Sequence, residues 1–273
     1  MTAATVAVPT QSRDSFFDVV RSEWTKIRTV RSTFWSLGLL VVLSVLFTAV
    51  LIGLTVAGWN DLTAQDQALI AADPTAAILG SGFLIAQPAV CVVGVMAIAS
   101  EYSTGMIRAS VLAVPRRLPI LAGKALVLAG LVFAVGLLTA FTSYFAGASS
   151  LSSKVPVSLD DPGALRAVVG TALYLAVLAV FSLAIGALLR HTAAGITAVI
   201  GFVLVVAPLV QLVPGKAGEY LHAYLPTEAG ILIAQATQGP GDILSPWQGF
   251  LVFCAWTAAL LAAAGYLFKR RDA

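Results

Sequence analysis

Residues 32–60 read STFWSLGLLVVLSVLFTAVLIGLTVAGWN, 29 residues without an Asp, Glu, Lys or Arg. A helix crosses a hydrocarbon core of about 30 Å with about 20 residues. This stretch is therefore long enough to span a bilayer. Five further windows are equally free of charge: 74–100, 125–153, 167–189, 191–215 and 243–268, so that all six run from 23 to 29 residues. The next longest, 229–241, has 13 and is too short. Within lipid, backbone polar groups must be paired inside the segment, which requires helices. A membrane barrel would instead show alternating segments of about ten residues. The windows predict an all-α polytopic membrane protein with transmembrane helices near 34–58, 78–100, 122–148, 167–189, 193–213 and 247–268.

Composition agrees with lipid as the solvent. Of the 273 residues, 59% are hydrophobic and 11% charged, against about 25% charged in soluble domains. Mean hydropathy is +0.94. The net charge of +3 is small, so where the charges lie matters more than their sum, and nucleic acid is not an expected partner. Cys91 and Cys254 both lie in apolar runs, which speaks against a disulfide framework or a thiolate metal site. Residues 1–12 hold only the short apolar patch Val6 to Val8, so no cleavable signal peptide is expected. Pro88 and Pro208 fall inside spans two and five, where a kink is expected. Trp35, Trp59 and Trp247 fall at span ends, the favoured depth for indole rings.

Orientation follows from the basic residues. With the amino terminus inside, 13 Lys and Arg face the cytoplasm and three, Lys154, Arg166 and Lys216, face outward. That split predicts both termini in the cytoplasm. The expected organisation is a disordered cytoplasmic tail over 1–13, an interfacial helix over 14–33, a six-helix membrane domain over 34–268 and a short cytoplasmic tail over 269–273.

Three segments at the membrane edge carry further information. In 14–33, Phe16, Val20, Trp24 and Ile27 share one helical face while Arg21, Glu23, Lys26 and Arg28 supply polar surface. This pattern fits an amphipathic helix lying in the headgroup region, the alternative being a basic stretch that only sets topology. After span two comes EYSTGMIR (101–108), then ASVLAVPRRLP (109–119). Ser103 can cap a short helix that Pro115 ends, with Ile107, Val111 and Val114 on one face. Such a helix could dock a soluble partner or lie on lipid. The residues by themselves favour a plain connecting loop. The outer segment 214–246 is long for a connection. Its run AYLPTEAGILIA (223–234) suggests one or two short helices dipping into the outer leaflet, with a surface loop as the equal alternative.

Several chemistries are absent. The pairs Gly123 and Lys124, and Gly215 and Lys216, are each followed by Ala, with Leu118 and Val210 where a phosphate loop needs its first glycine. ATP binding by that motif is excluded. No ionisable residue occupies the middle third of a span, which disfavours ion coupling. His191 and His222 both lie in connections, so an intramembrane serine protease lacks its base, and Gly80 to Gly82 reads as small residues for close helix packing. Among the few polar groups within spans, Gln87, Tyr144 and Gln211 are candidates for lining a translocation path, with helix packing the competing role.

These residues carry a resemblance. RSEWTKIR (21–28) followed by RSTFW (31–35) is similar to the approach to the first span in permease subunits of type 2 ABC transporters, the drug and antibiotic exporter class. EYSTGMIR (101–108) with VPRR (114–117) resembles that family's loop after span two, although Met106 stands where Thr is more usual. Six spans with a long outer segment before the last match its topology.

The resemblance implies that 14–33 is the family's elbow helix and that Ser103 to Val114 is its coupling helix, seated in a groove of a separate ATP-binding subunit. It implies Glu101, Tyr102, Gly105, Ile107, Arg108, Val111, Arg116 and Arg117 as the coupling loop. It further implies re-entrant outer helices, a second permease copy giving a homodimer, contact with membrane lipid, and location in the plasma membrane. No cofactor and no catalysis are expected on this chain. An amphipathic or lipid-like cargo would suit its uncharged lining. Glu101, at the end of span two, either pairs with Arg108 or a basic residue of the elbow helix, or faces water. The contrasting expectation is a non-transporting membrane anchor or sensor that recruits a soluble partner.

Overall fold

Every charge-free window folds as a helix in the computed structural model, which describes residues 16–29, 31–106, 117–239 and 241–270. A short amphipathic helix α1 (Phe16–Thr29) precedes the first span α2 (Arg31–Ala57). After a 3-10 turn (Trp59–Asp61) come α3 (Ala64–Ala72) and the second span α4 (Pro74–Ser103). The third span is α5 (Arg117–Leu151) and the fourth α6 (Ala164–Leu189). The fifth combines α7 (Thr192–Gly201), a π-helical turn (Phe202–Val206) and α8 (Ala207–Val210). Short helices α9 (Lys216–Ala223) and α10 (Pro226–Ile231) and a 3-10 turn (Leu232–Ala234) lead to the sixth span α11 (Pro246–Arg270). Six of these helices are long and apolar enough to cross a membrane. No strand occurs among the described residues.

The fourth span is the centre of the bundle. It packs against the second, third, fifth and sixth spans, and 67% of its most apolar window is buried, against 22% for the first, fifth and sixth. Those three therefore present most of their apolar surface outward. The core is built from Val90, Cys91, Val95 and Ile98 of the second span against Leu175, Leu178 and Leu183 of the fourth. A run of aromatic rings crosses it. Phe83 meets Tyr174 at 5.4 Å, Tyr174 meets Phe253 at 5.5 Å, Phe253 meets Phe181 at 5.7 Å, and Phe181 meets Phe202 at 6.1 Å. Tilted and edge-on contacts of this kind add to the area each ring buries, and they link spans two, four, six and five.

The two prolines inside spans behave differently. The second span continues as one helix through Pro88. Before Pro208, by contrast, the fifth span widens into a π-turn closed by the Ala207 amide donating to the Phe202 carbonyl. Proline removes an amide from the helical ladder, and the π-turn reassigns the carbonyls it strands.

Between the first two spans lies α3, a helix outside the six windows. Its start is written in Thr63 and Asp66: the Thr63 hydroxyl accepts from the Asp66 amide and donates to the Asp66 carboxylate, an N-cap held in place by a side-chain bond. Asp73 then caps the second span by accepting from the Ala76 amide. Its other oxygen accepts from the amide and hydroxyl of Thr237. One side chain thus starts a span and tethers the long segment before span six.

That segment is inserted into the bundle instead of lying over it. Ala229 and Ile233 are wholly buried, and α10 and the turn after it pack on the fourth and sixth spans. Gly170 and Gly249 make this fit possible. A side chain on either would collide with a backbone carbonyl of the segment, that of Ile233 and that of Ala229 respectively.

Candidate functional site

Four charged side chains meet where the loop after span two leaves and rejoins the bundle. Glu23 lies on α1, and Lys26 follows one turn later. Glu101 stands in the last turn of the second span, and Lys124 in the second turn of the third. The Lys124 ammonium donates to Glu23 Oε2 at 2.7 Å and to Glu101 Oε1 at 2.8 Å. Lys26 donates to Glu23 Oε1 at 2.6 Å and to Glu101 Oε1 at 3.3 Å. Each cation bridges both carboxylates, so the four form a closed, charge-neutral ring. Glu23, Glu101 and Lys124 are nearly buried, with 5%, 6% and 7% of their side chains exposed, and Lys26 closes the ring at its edge with 36%.

Local sequence explains why α1 comes this close. Val19 and Glu23, one turn apart, share a face. Val19 is buried against Gly123, where an added Cβ would sit only 3.0 Å from Val19 Cγ1. A glycine at 123 thus lets the helix settle onto span three, and Glu23 arrives at the next residue, Lys124. The predicted interfacial residues lie along the neighbouring flank of the helix: Phe16 and Trp24 are exposed, whereas Val20 is half-buried and also reaches Gly123. The side chain of Ile27 lies outside the described residues.

Burial by itself pushes the Glu23 carboxyl up, but the ammonium groups of Lys124 and Lys26 outweigh it and hold the group below its ordinary 4.5. Burial likewise pulls Lys26 down, and hydrogen bonding to Glu23 and the charges of Glu23 and Glu101 reverse this, raising it above its ordinary 10.5. The signs differ at the two ends of the pH scale. A depressed carboxyl stabilises docking above its free value and loses that contribution as pH falls through its lowered value. A raised ammonium stabilises below its free value and loses its contribution as pH rises through its raised one. Docking of α1 is therefore expected to be flat between about pH 5 and pH 10 and to weaken outside that window. Hydrogen exchange of the α1 amides across pH, corrected for intrinsic rates, checks this. Protection that fell steadily between pH 6 and 8 would contradict it.

The sequence reading offered Arg108 or a basic residue of the elbow helix as the partner of Glu101. The latter is present in Lys26. The shorter contacts, however, come from Lys124, which sequence alone treated as a topological charge. Beside the ring, the Tyr102 aromatic face lies under the Arg190 guanidinium, 5.1 Å from its centroid. This contact reaches the tight turn between spans four and five, where Arg190 takes a left-handed backbone and His191 Nδ1 accepts the Ala194 amide.

Other residues read as the coupling loop are distributed as follows. Ser103 is the last residue of the second span, its hydroxyl donating to the Ser100 carbonyl; the short helix it was expected to cap lies outside the described residues. Gly105, with φ of 73°, makes the exit in a conformation that side chains resist. Ile107, Arg108, Val111 and Arg116 lie outside the described residues, as does the side chain of Arg117, which begins span three.

The candidate path residues fall in three settings. Gln87 donates its side-chain amide to the Tyr174 hydroxyl at 3.1 Å, joining spans two and four. Tyr144 is buried among Leu79, Ala140, Ala167 and Val168. Gln211 is exposed and within 2.9 Å of His222, on the wall of a cleft of about 290 Å³ that also holds Glu219, Glu228 and Asp242. His222 meets Glu228 at 3.2 Å. Burial pushes the Glu228 carboxyl up while His222 draws it down, and burial prevails.

A family model described as ABC-2 family transporter protein matches residues 18–273. The chain belongs to the ABC-2 transporter family. No curated protein matches it. The matched region takes in all four ring residues and all six spans of this ABC-2 protein. It is a multi-pass membrane protein and a permease subunit of an ABC transporter, and such permeases normally pair with an ATP-binding subunit. The transport role, and not catalysis, is what the family assigns to this chain.

Proposed function

We propose that this permease exports a hydrophobic or amphipathic compound, of the drug, antibiotic or lipid-like kind, across the plasma membrane, driven by a separate ATPase seated on the loop 104–116. The observation that carries the reading is the charge ring. Glu101 lies just before that loop and Lys124 just after it, and both are tied to α1 through Glu23 and Lys26. A push on the loop would reach spans two and three through a neutral, mostly buried clamp and not through flexible chain. The elbow helix would move with them, its exposed Phe16 and Trp24 sliding in the headgroup layer.

In this reading both termini and the ring are cytoplasmic, which the 13-to-3 distribution of basic residues supports. The sparsely buried first, fifth and sixth spans leave surface for lipid and for a second, identical copy. Tilting of spans two and three against the fourth would open a route between the two copies, and the inserted segment around Ala229 and Ile233 would close its outer end. Work is done only if cargo binds the inward and outward states unequally. The uncharged spans suit a cargo that partitions into lipid.

Scrambling 104–116 is expected to abolish co-purification of the ATP-binding subunit while leaving the permease folded. Affinity capture from solubilised membranes, with thermal unfolding as the control, tests this. Retained capture would remove the loop from the coupling role. ATP-driven flux in proteoliposomes separates transporter from recruiting anchor, since an anchor would hold the ATPase without moving cargo.

A further inference from the structure

We infer that His222 is a proton-operated latch on the segment before span six: a neutral ring is held by Gln211, just after span five, and a protonated ring by Glu228 on α10. Both contacts are made by one atom. His222 Nε2 lies 2.9 Å from the Gln211 side-chain nitrogen and 3.2 Å from Glu228 Oε2. An amide NH2 only donates, so Gln211 calls for a bare Nε2. A carboxylate only accepts, so Glu228 calls for an Nε2 that carries a proton. One nitrogen meets one of these demands at a time. When Nε2 is protonated it turns to Glu228, and Gln211 either lets go or turns its carbonyl to the ring.

Protons can reach the site. The His222 and Glu228 side chains are 27% and 21% exposed and stand on the wall of the cleft that also holds Glu219 of α9 and Asp242. No Lys or Arg lines that cleft among the described residues. Lys216 opens α9 away from it. The fourth span contributes Tyr174, whose hydroxyl feels the charge of Glu228, and Arg166, whose guanidinium is spent on the Ala236 carbonyl. The short α8 and the near end of the sixth span carry no charge. An added proton therefore turns a neutral ring facing carboxylates into a charge-assisted pair, and His222 and Glu228 take it up as a unit. The sign at Glu228 agrees. Its carboxyl is raised because burial prevails over His222, so its contribution is present in acid and is lost as pH rises through the raised value. Acid thus pins α9 to α10, and α10 leads into the buried Ala229 and Ile233. The inference is independent of what the chain transports; the compartment whose pH is sensed follows the orientation proposed above.

Two readouts on the full-length protein in detergent test it. The chain has only two histidines, so 15N-histidine labelling gives two ring systems, and the one lost in His222→Gln is assigned. Between about pH 8 and about pH 5.5, the range in which histidine gains its charge, His222 Nε2 is expected to pass from bare to protonated. Over the same midpoint, exchange of the α10 amides, corrected for intrinsic rates, is expected to slow about fivefold, as replacing a neutral by a charge-assisted bond implies. The α1 amides, expected to stay flat there, are the internal control. Glu228→Gln is expected to make α10 exchange independent of pH. Gln211→Leu, at an exposed position, leaves both titrating groups but removes the partner that needs a bare nitrogen, and is expected to keep Nε2 protonated at the alkaline end. A wild-type Nε2 that is protonated throughout, α10 exchange that ignores pH in wild type, or undiminished dependence in Glu228→Gln would overturn the assignment. So would a bare Nε2 in Gln211→Leu at the alkaline end.

Discussion

Lys124→Ala is expected to lower stability by roughly 3–5 kcal/mol and to abolish coupled transport, because it leaves two buried carboxylates sharing the single edge ammonium of Lys26. In the native ring Lys124 lies within 2.8 Å of both Glu23 and Glu101. Without it, the remaining cation is Lys26, which sits at the edge and reaches Glu101 only at 3.3 Å. Glu101 Oε2 already lacks a hydrogen-bond partner, so nothing nearby is free to take up the lost contact. The large effect comes from leaving charges under-compensated in a poorly solvated site. The intact ring need not stabilise the fold by the same amount, since desolvation of its members offsets much of their attraction. The double variant Lys124→Ala with Glu101→Gln separates these ideas. It removes one charge of each sign, and its unfolding midpoint should lie well above that of the single variant. Thermal unfolding in detergent and ATP-driven flux in vesicles are the measurements. A single variant that unfolds with wild type would show that the ring bears no weight.

The second large effect is expected at Gly94→Ala. A Cβ there would lie 2.5 Å from the Ala179 carbonyl oxygen and 2.6 Å from Ser182 Cβ. Both obstacles belong to the fourth span, and neither is the tip of a flexible side chain. The second and fourth spans must therefore separate, disturbing packing of Val90, Val95 and Leu178 on either side. Overpacking of this kind costs about 1–3 kcal/mol, sometimes more. Helix association in lipid depends on close packing of small residues because no hydrophobic drive separates helix from lipid. Gly80→Ala is the matched control, since a Cβ at 80 meets nothing within 4 Å. Equal unfolding midpoints for the two variants would refute the packing account. The sequence reading assigned close packing to Gly80 through Gly82. Of its two glycines only Gly82 fits that role, since an added Cβ there would lie 2.9 Å from the Thr48 hydroxyl, and within the second span the tighter position is Gly94, three turns further along.

The helix α3 and the ring escaped the sequence reading for different reasons. For α3 the signal was present in Thr63 and Asp66, but a nine-residue helix is too short to register among windows long enough to span. For the ring no local signal existed. Glu23 meets Lys124 across 101 positions, and Glu101 meets Lys26 across 75. Read one at a time, these residues are indistinguishable from charges that mark a membrane edge. The outer segment was partly legible: its Pro and Gly punctuation suggested short helices, but not that Ala229 and Ile233 would be buried against spans four and six.

The amino-acid order alone determined the helical class and the number of helices long and apolar enough to span, because lipid admits no unpaired backbone and charge cannot stay at its centre. That is a rule about single segments and can be applied one window at a time. Which spans touch, that the fourth is central, that α1 docks through Val19 and Glu23, and that Lys124 closes a ring were decided only in three dimensions. Within lipid every apolar face is about equally content, so partner choice falls to shape and to pairing of the few polar groups. Those pairings join residues far apart in the chain.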